Sequence, residues 1–199
     1  MKTLVLSGDK LSLENLVGFA RRLRGDVSLQ FSPGVEKRVA AAAEWIAGKV
    51  KKGDAVYGVT TGFGSNQDKL ISAAEAEELQ RNLILSHAVG YGPDLPEDIV
   101  RGALALRANT LLQGRSGVTM ETLRFFADML NSGAYPAVPA KGSLGASGDL
   151  APLSHMVLPM LGYGYVYMNG RKTPASEWLE KTGRKPHKLT YKEGLALNN

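Results

Sequence analysis

The segment Gly142 to Leu153, GSLGASGDLAPL, is the stretch whose residue types could do chemistry through the backbone alone. An amide nitrogen attacks a nearby carbonyl carbon only where the chain folds back more tightly than ordinary side chains allow. Glycine permits that compression because it lacks a Cβ, and alanine adds little bulk. In Ala146-Ser147-Gly148, attack of the Gly148 nitrogen on the Ala146 carbonyl carbon closes a five-membered ring. Loss of the carbonyl oxygen as water, with dehydration of the Ser147 side chain, leaves an exocyclic methylidene. The product is an electrophile made from protein alone. A tight turn in which Ser147 or Asp149 caps the following helix explains the same composition without chemistry. On composition alone, that turn is the simpler account.

Other reactive motifs are absent. There is no G-x-x-x-x-G-K-[ST] phosphate loop, and GFGSNQ lacks the third glycine of a dinucleotide fingerprint. Around Ser147 the order Gly145-Ala-Ser-Gly148 is not the G-x-S-x-G of a nucleophile elbow. His87, His155 and His187 are too dispersed for a local metal signature, so no metal is expected. With no Cys, disulfides and thiol nucleophiles are excluded.

The 199 residues, 44% hydrophobic and 22% charged, have the make-up of a soluble globular protein. No run approaches the roughly 18–20 apolar residues of a membrane span. Gly8, Asp9 and Lys10 end the N-terminal apolar patch too early for a signal peptide, so the cytoplasm is the expected location. The net charge of +5 is scattered rather than striped with aromatics, which favours a solvated surface over a nucleic-acid partner.

Periodicity and punctuation predict the elements that must hold the reactive segment. TLVL and VSLQF read as short strands, with a helix opened by Ser12 running to about Gly25 between them. Ser32 as N-cap, with Pro33 at the first helical position, predicts a helix to about Lys51. AVYGVTTGFG starts as a strand and becomes a glycine-punctuated loop. Ser72 and Glu75 form a capping box for a helix closed by Gly90, with Leu79, Leu83 and His87 along one face. Further helices open at Pro96 and Thr119, stopping near Gly114 and at NSG. After an irregular stretch comes an apolar helix over about 150–161, an Asn169-Gly170 hairpin and a short helix, SEWLEK. The final YKEGLALNN is apolar and stops without a cap, as if interrupted, which predicts a larger or split polypeptide.

GSLGASGDLAPLSHM resembles the signature of the aromatic amino acid ammonia-lyases and aminomutases, whose cofactor is a 4-methylidene-imidazole-5-one (MIO). YGVTTGFG at Tyr57–Gly64 is similar to that family's catalytic-tyrosine loop, LQRNLILSHAVGYG to its substrate-selectivity helix, and KEGLALNN to a segment that continues as Asn-Gly-Thr. The resemblance runs in order from Tyr57 to Asn199. It implies a mainly α, aspartase/fumarase-like lyase architecture with a small α+β N-terminal portion. Residues 1–199 would be the MIO-bearing N-terminal portion, with the C-terminal helical half outside this chain.

By the same resemblance, Ala146, Ser147 and Gly148 form MIO, and Tyr57 is the base that takes the substrate β-proton. Ser86, His87, Gly64 and Asn199 form the substrate-binding set. Asp149 either assists ring closure through its charge or caps the helix. A histidine on an apolar face is more often a satisfied core residue, but in this family the pair at Ser86-His87 faces the substrate side chain. Ser-His is typical of histidine ammonia-lyases and argues against phenylalanine. The implied reaction removes ammonia from L-histidine to give urocanate. A tyrosine ammonia-lyase, a tyrosine 2,3-aminomutase and an inactive truncated fragment remain open alternatives. Partners implied are the small amino acid, the C-terminal half and further copies in a homotetramer, with neither nucleic acid nor membrane.

Overall fold

A computed structural model describes residues 2–21, 27–64 and 67–199. Lys2–Leu6 (β1) and Val27–Phe31 (β2) pair in parallel, with Leu4 opposite Leu29. Parallel neighbours need a crossover, and Leu13–Ala20 (α1) supplies it, with Ser12 accepting the Asn15 N–H at its start. This helix closes at Ala20 rather than near Gly25; residues 22–26 lie outside the described residues.

Val35–Lys52 (α2) begins later than the sequence suggests. Its N-cap is Gly34 at φ 86°, not Ser32, whose backbone N–H still donates to Leu6 O (2.8 Å) as an extension of the β1–β2 pairing. The chain can turn into the helix only after that bond, and left-handed Gly34 makes the turn. The strand expected at Ala55 is also absent. The N–H groups of Val59, Thr60 and Thr61 all converge on Val56 O, so residues 57–60 form a tight turn.

Ala73–His87 (α3) carries the complete capping box between Ser72 and Glu75. Tyr91–Asp94 (β3) leads into Glu97–Leu111 (α4) and Met120–Asn131 (α5), the latter capped by Thr119. The irregular stretch holds two short strands, Tyr135–Pro136 (β4) and Pro139–Lys141 (β5). Leu150–Val157 (α6) passes into a 3₁₀ turn at Leu158–Leu161, where Pro159 lacks a donor for α-helical pairing. Tyr165–Met168 (β6) and Arg171–Pro174 (β7) form the expected hairpin. Asn169 (φ 53°) and Gly170 (φ 77°) are both left-handed, as a two-residue turn of this type demands. Ala175–Lys181 (α7) and Glu193–Asn198 (α8) complete the described helices. β3 pairs with β5, and β4, β6 and β7 make a second antiparallel sheet.

The core is one apolar body. Val100, Leu104, Ala108 and Leu111 of α4 meet Leu123, Phe126 and Leu130 of α5, with Leu4, Leu6 and Leu29 from the parallel pair and Phe19 from α1. Beside it, α3, α6 and α8 pack against one another. α8 approaches α3 so closely that a Cβ on Gly194 would lie 2.5 Å from Gln80 O. Among the described residues no helix is long and apolar enough to cross a membrane.

Candidate active site

The Gly142–Asp149 loop leaves β5 and doubles back within a few residues. Gly145 (φ 74°) bridges Gly148 (φ 83°), and Ala146 bridges Gly148 as well. These are left-handed positions that side chains resist, so the glycines are what let the strand reverse here. Every residue from Lys141 to Asp149 is exposed, Leu144 at 90%. A Cβ on Gly148 would have only Asn199 Oδ1 near it, at 3.8 Å, and one on Gly145 would have nothing within 4 Å. The space for a ring is there.

The capping account does not hold. Asp149 stands at the N-cap of α6 but makes no cap bond; its carboxylate accepts from Ser143 Oγ (2.5 Å) instead. Ser147 Oγ accepts from Asn199 Nδ2 at 3.4 Å. Neither side chain is spent on the helix.

Asn199 reaches Ser147 because α8 is the junction of the site. Asn198 Nδ2 donates to Ser154 Oγ of α6 (3.3 Å), and Leu195 N–H donates to Gln80 Oε1 of α3 (3.2 Å). The Tyr57 turn presses on the same helix, since a Cβ on Gly58 (φ 67°) would lie 2.7 Å from Leu195 Cδ2. Arg107 of α4 donates to Ala196 O and to Asn199 O (2.6 Å), placing a cation at the carbonyl end of α8. At the other end Glu193, fully buried, accepts from the Thr119 and Thr190 N–H groups (both 2.8 Å). It also accepts from the hydroxyls of Thr119, Thr122 and Thr190 (3.0, 2.6 and 3.0 Å). Burial pushes the neighbouring Lys192 ammonium and the Arg107 guanidinium below their ordinary values.

Tyr57 lies in a turn, 54% exposed, with its ring edge-on to Phe63. Its hydroxyl oxygen accepts the Gly64 N–H at 3.3 Å, which fixes where the phenol points. Gly64 itself is left-handed at φ 53°. At the end of α3 both Ser86 Oγ (3.1 Å) and His87 Nδ1 (2.8 Å) meet Leu83 O. A carbonyl only accepts, so in the neutral ring Nδ1 carries the hydrogen and Nε2 keeps its lone pair. The inward face of α3 is not the Leu79–Leu83–His87 row, which is half-buried. It is Ala76, Gln80 and Ile84, one row over, that turn fully inward. Gly90 also differs from expectation: α3 ends at His87, and Gly90 is not left-handed.

Of the sequence-predicted residues, Asn199 and Ser147 touch directly. Tyr57 connects to them through Gly58 and Leu195, and Ser86-His87 through Gly90, which packs on Gly142. Among the described residues no hydrogen bond joins Tyr57, Ser86 or His87 to Ser147. Sequence reasoning missed Gln80, Arg107 and Glu193. Gln80 and Arg107 bond across 115 and 92 residues, which no local pattern marks; Glu193 reaches Thr122 across 71, and only its Thr190-x-x-Glu193 spacing is a local signal.

The family model for aromatic amino acid lyases matches residues 11–199. Histidine ammonia-lyase of Alkaliphilus oremlandii is 46% identical over 199 residues, covering 100% of this chain and 39% of the relative. That of Chloroflexus aurantiacus is 43% identical, covering 100% and 38%. The solved histidine ammonia-lyase of Trypanosoma cruzi superposes with TM-score 0.90 at 35% identity, covering 100% of this chain and 37% of that one. Tyrosine aminomutase from Streptomyces globisporus gives 0.90 at 35% identity, covering 98% and 36%. The chain thus spans about two-fifths of the length of the relatives it matches.

Proposed function

The chain belongs to the aromatic amino acid lyases, and from that premise we propose that it is the MIO-bearing N-terminal portion of an ammonia-lyase converting L-histidine to urocanate and ammonia. The observation that carries this reading is the exposed, doubled-back Ala146-Ser147-Gly148 segment with Asn199 set against Ser147. Those residues fit an MIO ring: the backbone already reverses there, and a Cβ on Gly145 or Gly148 would meet nothing nearer than Asn199 Oδ1 at 3.8 Å. An MIO held there would supply an electrophile for the substrate amine, making the amine a better leaving group.

The remaining roles fall to this chain's own side chains. Tyr57 removes the β-proton, its oxygen oriented by the Gly64 amide. His87, its Nδ1 hydrogen held by Leu83 O, offers Nε2 to an N–H on the substrate ring, and Ser86 lies beside it. That pairing rewards a polar ring over a plain phenyl. Asn199 holds the Ser147 side of the pocket and the substrate carboxylate. Asp149, tied to Ser143, places a negative charge beside the segment that must cyclise.

The rim is unfinished. Val89 and Tyr91 (each 65% exposed) and Leu144 stand open at the loop, and Tyr57 is exposed in its own turn. The C-terminal half and neighbouring copies in a homotetramer would close it and complete the carboxylate contacts. The test is to incubate the complete protein with L-histidine and to measure its intact mass. Urocanate formation, with a mass lower by two waters in the Ala146–Gly148 peptide, supports the reading. A β-amino acid from tyrosine would move it to a 2,3-aminomutase, and a linear peptide mass without turnover would overturn it.

A further inference from the structure

Gly90 is pinched from two sides. A Cβ there would lie 3.0 Å from His155 Nε2 and 3.1 Å from Pro139 Cβ. On another side Gly142 (φ 129°) comes so near that a Cβ on it would be 2.9 Å from Gly90 Cα. Gly90 therefore marks the contact between the end of α3 and the base of the Gly142–Asp149 loop. The hydrogen bonds explain what holds it. After α3, Ala88 N–H returns to Ile84 O (3.1 Å) and Val89 N–H to His87 O (2.9 Å). The next amide, Gly90 N–H, has no carbonyl within its own helix and donates at 2.9 Å to His155 Nε2 on α6.

We propose that His155 is a positioning residue for substrate recognition: by accepting the Gly90 amide it fixes the Ser86-His87 end of α3 against the loop that carries Ser147. This rests on the reading that Ser86-His87 meets the substrate side chain. The geometry makes the imidazole well suited to the task. α6 begins at Leu150, immediately after the loop, and His155 is half-buried within it. A backbone N–H can donate only to an unprotonated nitrogen, so the contact exists in the neutral ring, with Nδ1 carrying the hydrogen. Burial, with Lys172 nearby, favours that neutral form, while Asp94 opposes it. Asp94 is itself occupied by Lys172 Nζ (2.6 Å) and the Tyr167 hydroxyl (2.9 Å). Lys141 on β5 leans over the Tyr91 ring. Two parts of the site that are over fifty residues apart are thus linked by a side-chain bond beside the β3–β5 pairing.

The experiment uses the complete protein and two variants. His155→Leu removes the acceptor, while His155→Gln places an amide oxygen near the position of Nε2. Expected for His155→Leu is Gly90 amide exchange about fivefold to tenfold faster, the scale of one lost hydrogen bond. KM for L-histidine should rise by a similar factor, with the intact mass still showing the loss of two waters. His155→Gln should restore both. In the wild type, Gly90 protection should fall on acidification below the ordinary histidine range, whereas in His155→Gln it should stay flat. Unchanged Gly90 exchange in folded His155→Leu, or an unaltered acid response in His155→Gln, overturns the proposal. If the wild type turns over no amino acid, the functional reading has failed, and the exchange measurements still decide the clamp.

Discussion

Helices α4 and α5 and the Gly142–Asp149 loop are built on opposite principles. In the helices, side chains such as Leu104, Leu123 and Phe126 are buried and make one apolar body with the β1–β2 pair. In the loop the side chains other than Leu144 are small or polar, all are exposed, and backbone reversal is the main feature. Burial of apolar area holds the first together. The second contributes little to stability and is shaped by what glycine permits. On the proposed reading, stability and chemistry are carried by different residues, and α8 joins them, since its carbonyl end is tied to both through Arg107 and Asn199.

The largest expected effect breaks the loop alone. Ser147→Ala removes the hydroxyl whose loss would make the proposed methylidene, so lyase turnover should drop by about a thousandfold or more, as for a lost covalent catalyst. The melting temperature should stay at the wild-type value, because Ser147 buries nothing. The intact mass of the segment should revert to that of a linear peptide. Turnover surviving this change would remove Ser147 as the source of the electrophile.

Phe126→Ala makes the converse test. Phe126 is 1% exposed at the centre of the core, and truncating such a ring costs about 3–5 kcal/mol. Denaturant titration should show that loss, while the folded fraction keeps a cyclised segment. Gly194→Ala strikes the joint. Its new Cβ would sit 2.5 Å from Gln80 O, a backbone atom that cannot swing aside. The strain should cost about 1–3 kcal/mol and, unlike the other two changes, should lower stability and KM-dependent turnover together. Separate responses would mean α8 is not the link between the two regions.

What could be read from the sequence divides along the same line. The Ser72–Glu75 box, the Thr119 cap and the Asn169-Gly170 hairpin were legible because each is decided within four residues. The family resemblance is carried by the glycine-punctuated segments for a similar reason. Ser32 misled because its amide is held by β1, a tertiary bond no local pattern shows. Gly90 read as a helix stop, yet its lack of a side chain serves the approach of His155 and Gly142. The junction at α8 was not legible at all. Gln80 and Arg107 look like ordinary surface residues until their distant partners are known, and the Thr190-x-x-Glu193 spacing does not show the reach of Glu193 to Thr119 and Thr122.

The smallest expected effect comes from pH and concerns the contact between the regions. Desolvation holds the folded His155 below its ordinary value of 6.5. The unfolded chain therefore binds a proton that the folded chain resists. The stability from neutral His155 is complete above the ordinary value and declines as pH falls through the lower, folded one. Asp94 does not share this window. Burial pushes its carboxyl up, but the bonds from Lys172 and Tyr167 together outweigh that and hold it below its ordinary value, so it stays ionised in both states until far more acid conditions. Denaturant unfolding at about pH 7.5 and about pH 5.5 should thus show a loss of under about 1 kcal/mol, the scale of one partly solvated hydrogen bond. In His155→Gln that part of the loss should vanish. An equal acid loss in both proteins would place the titrating group elsewhere and leave the Gly90 contact without a role in holding the loop to α3.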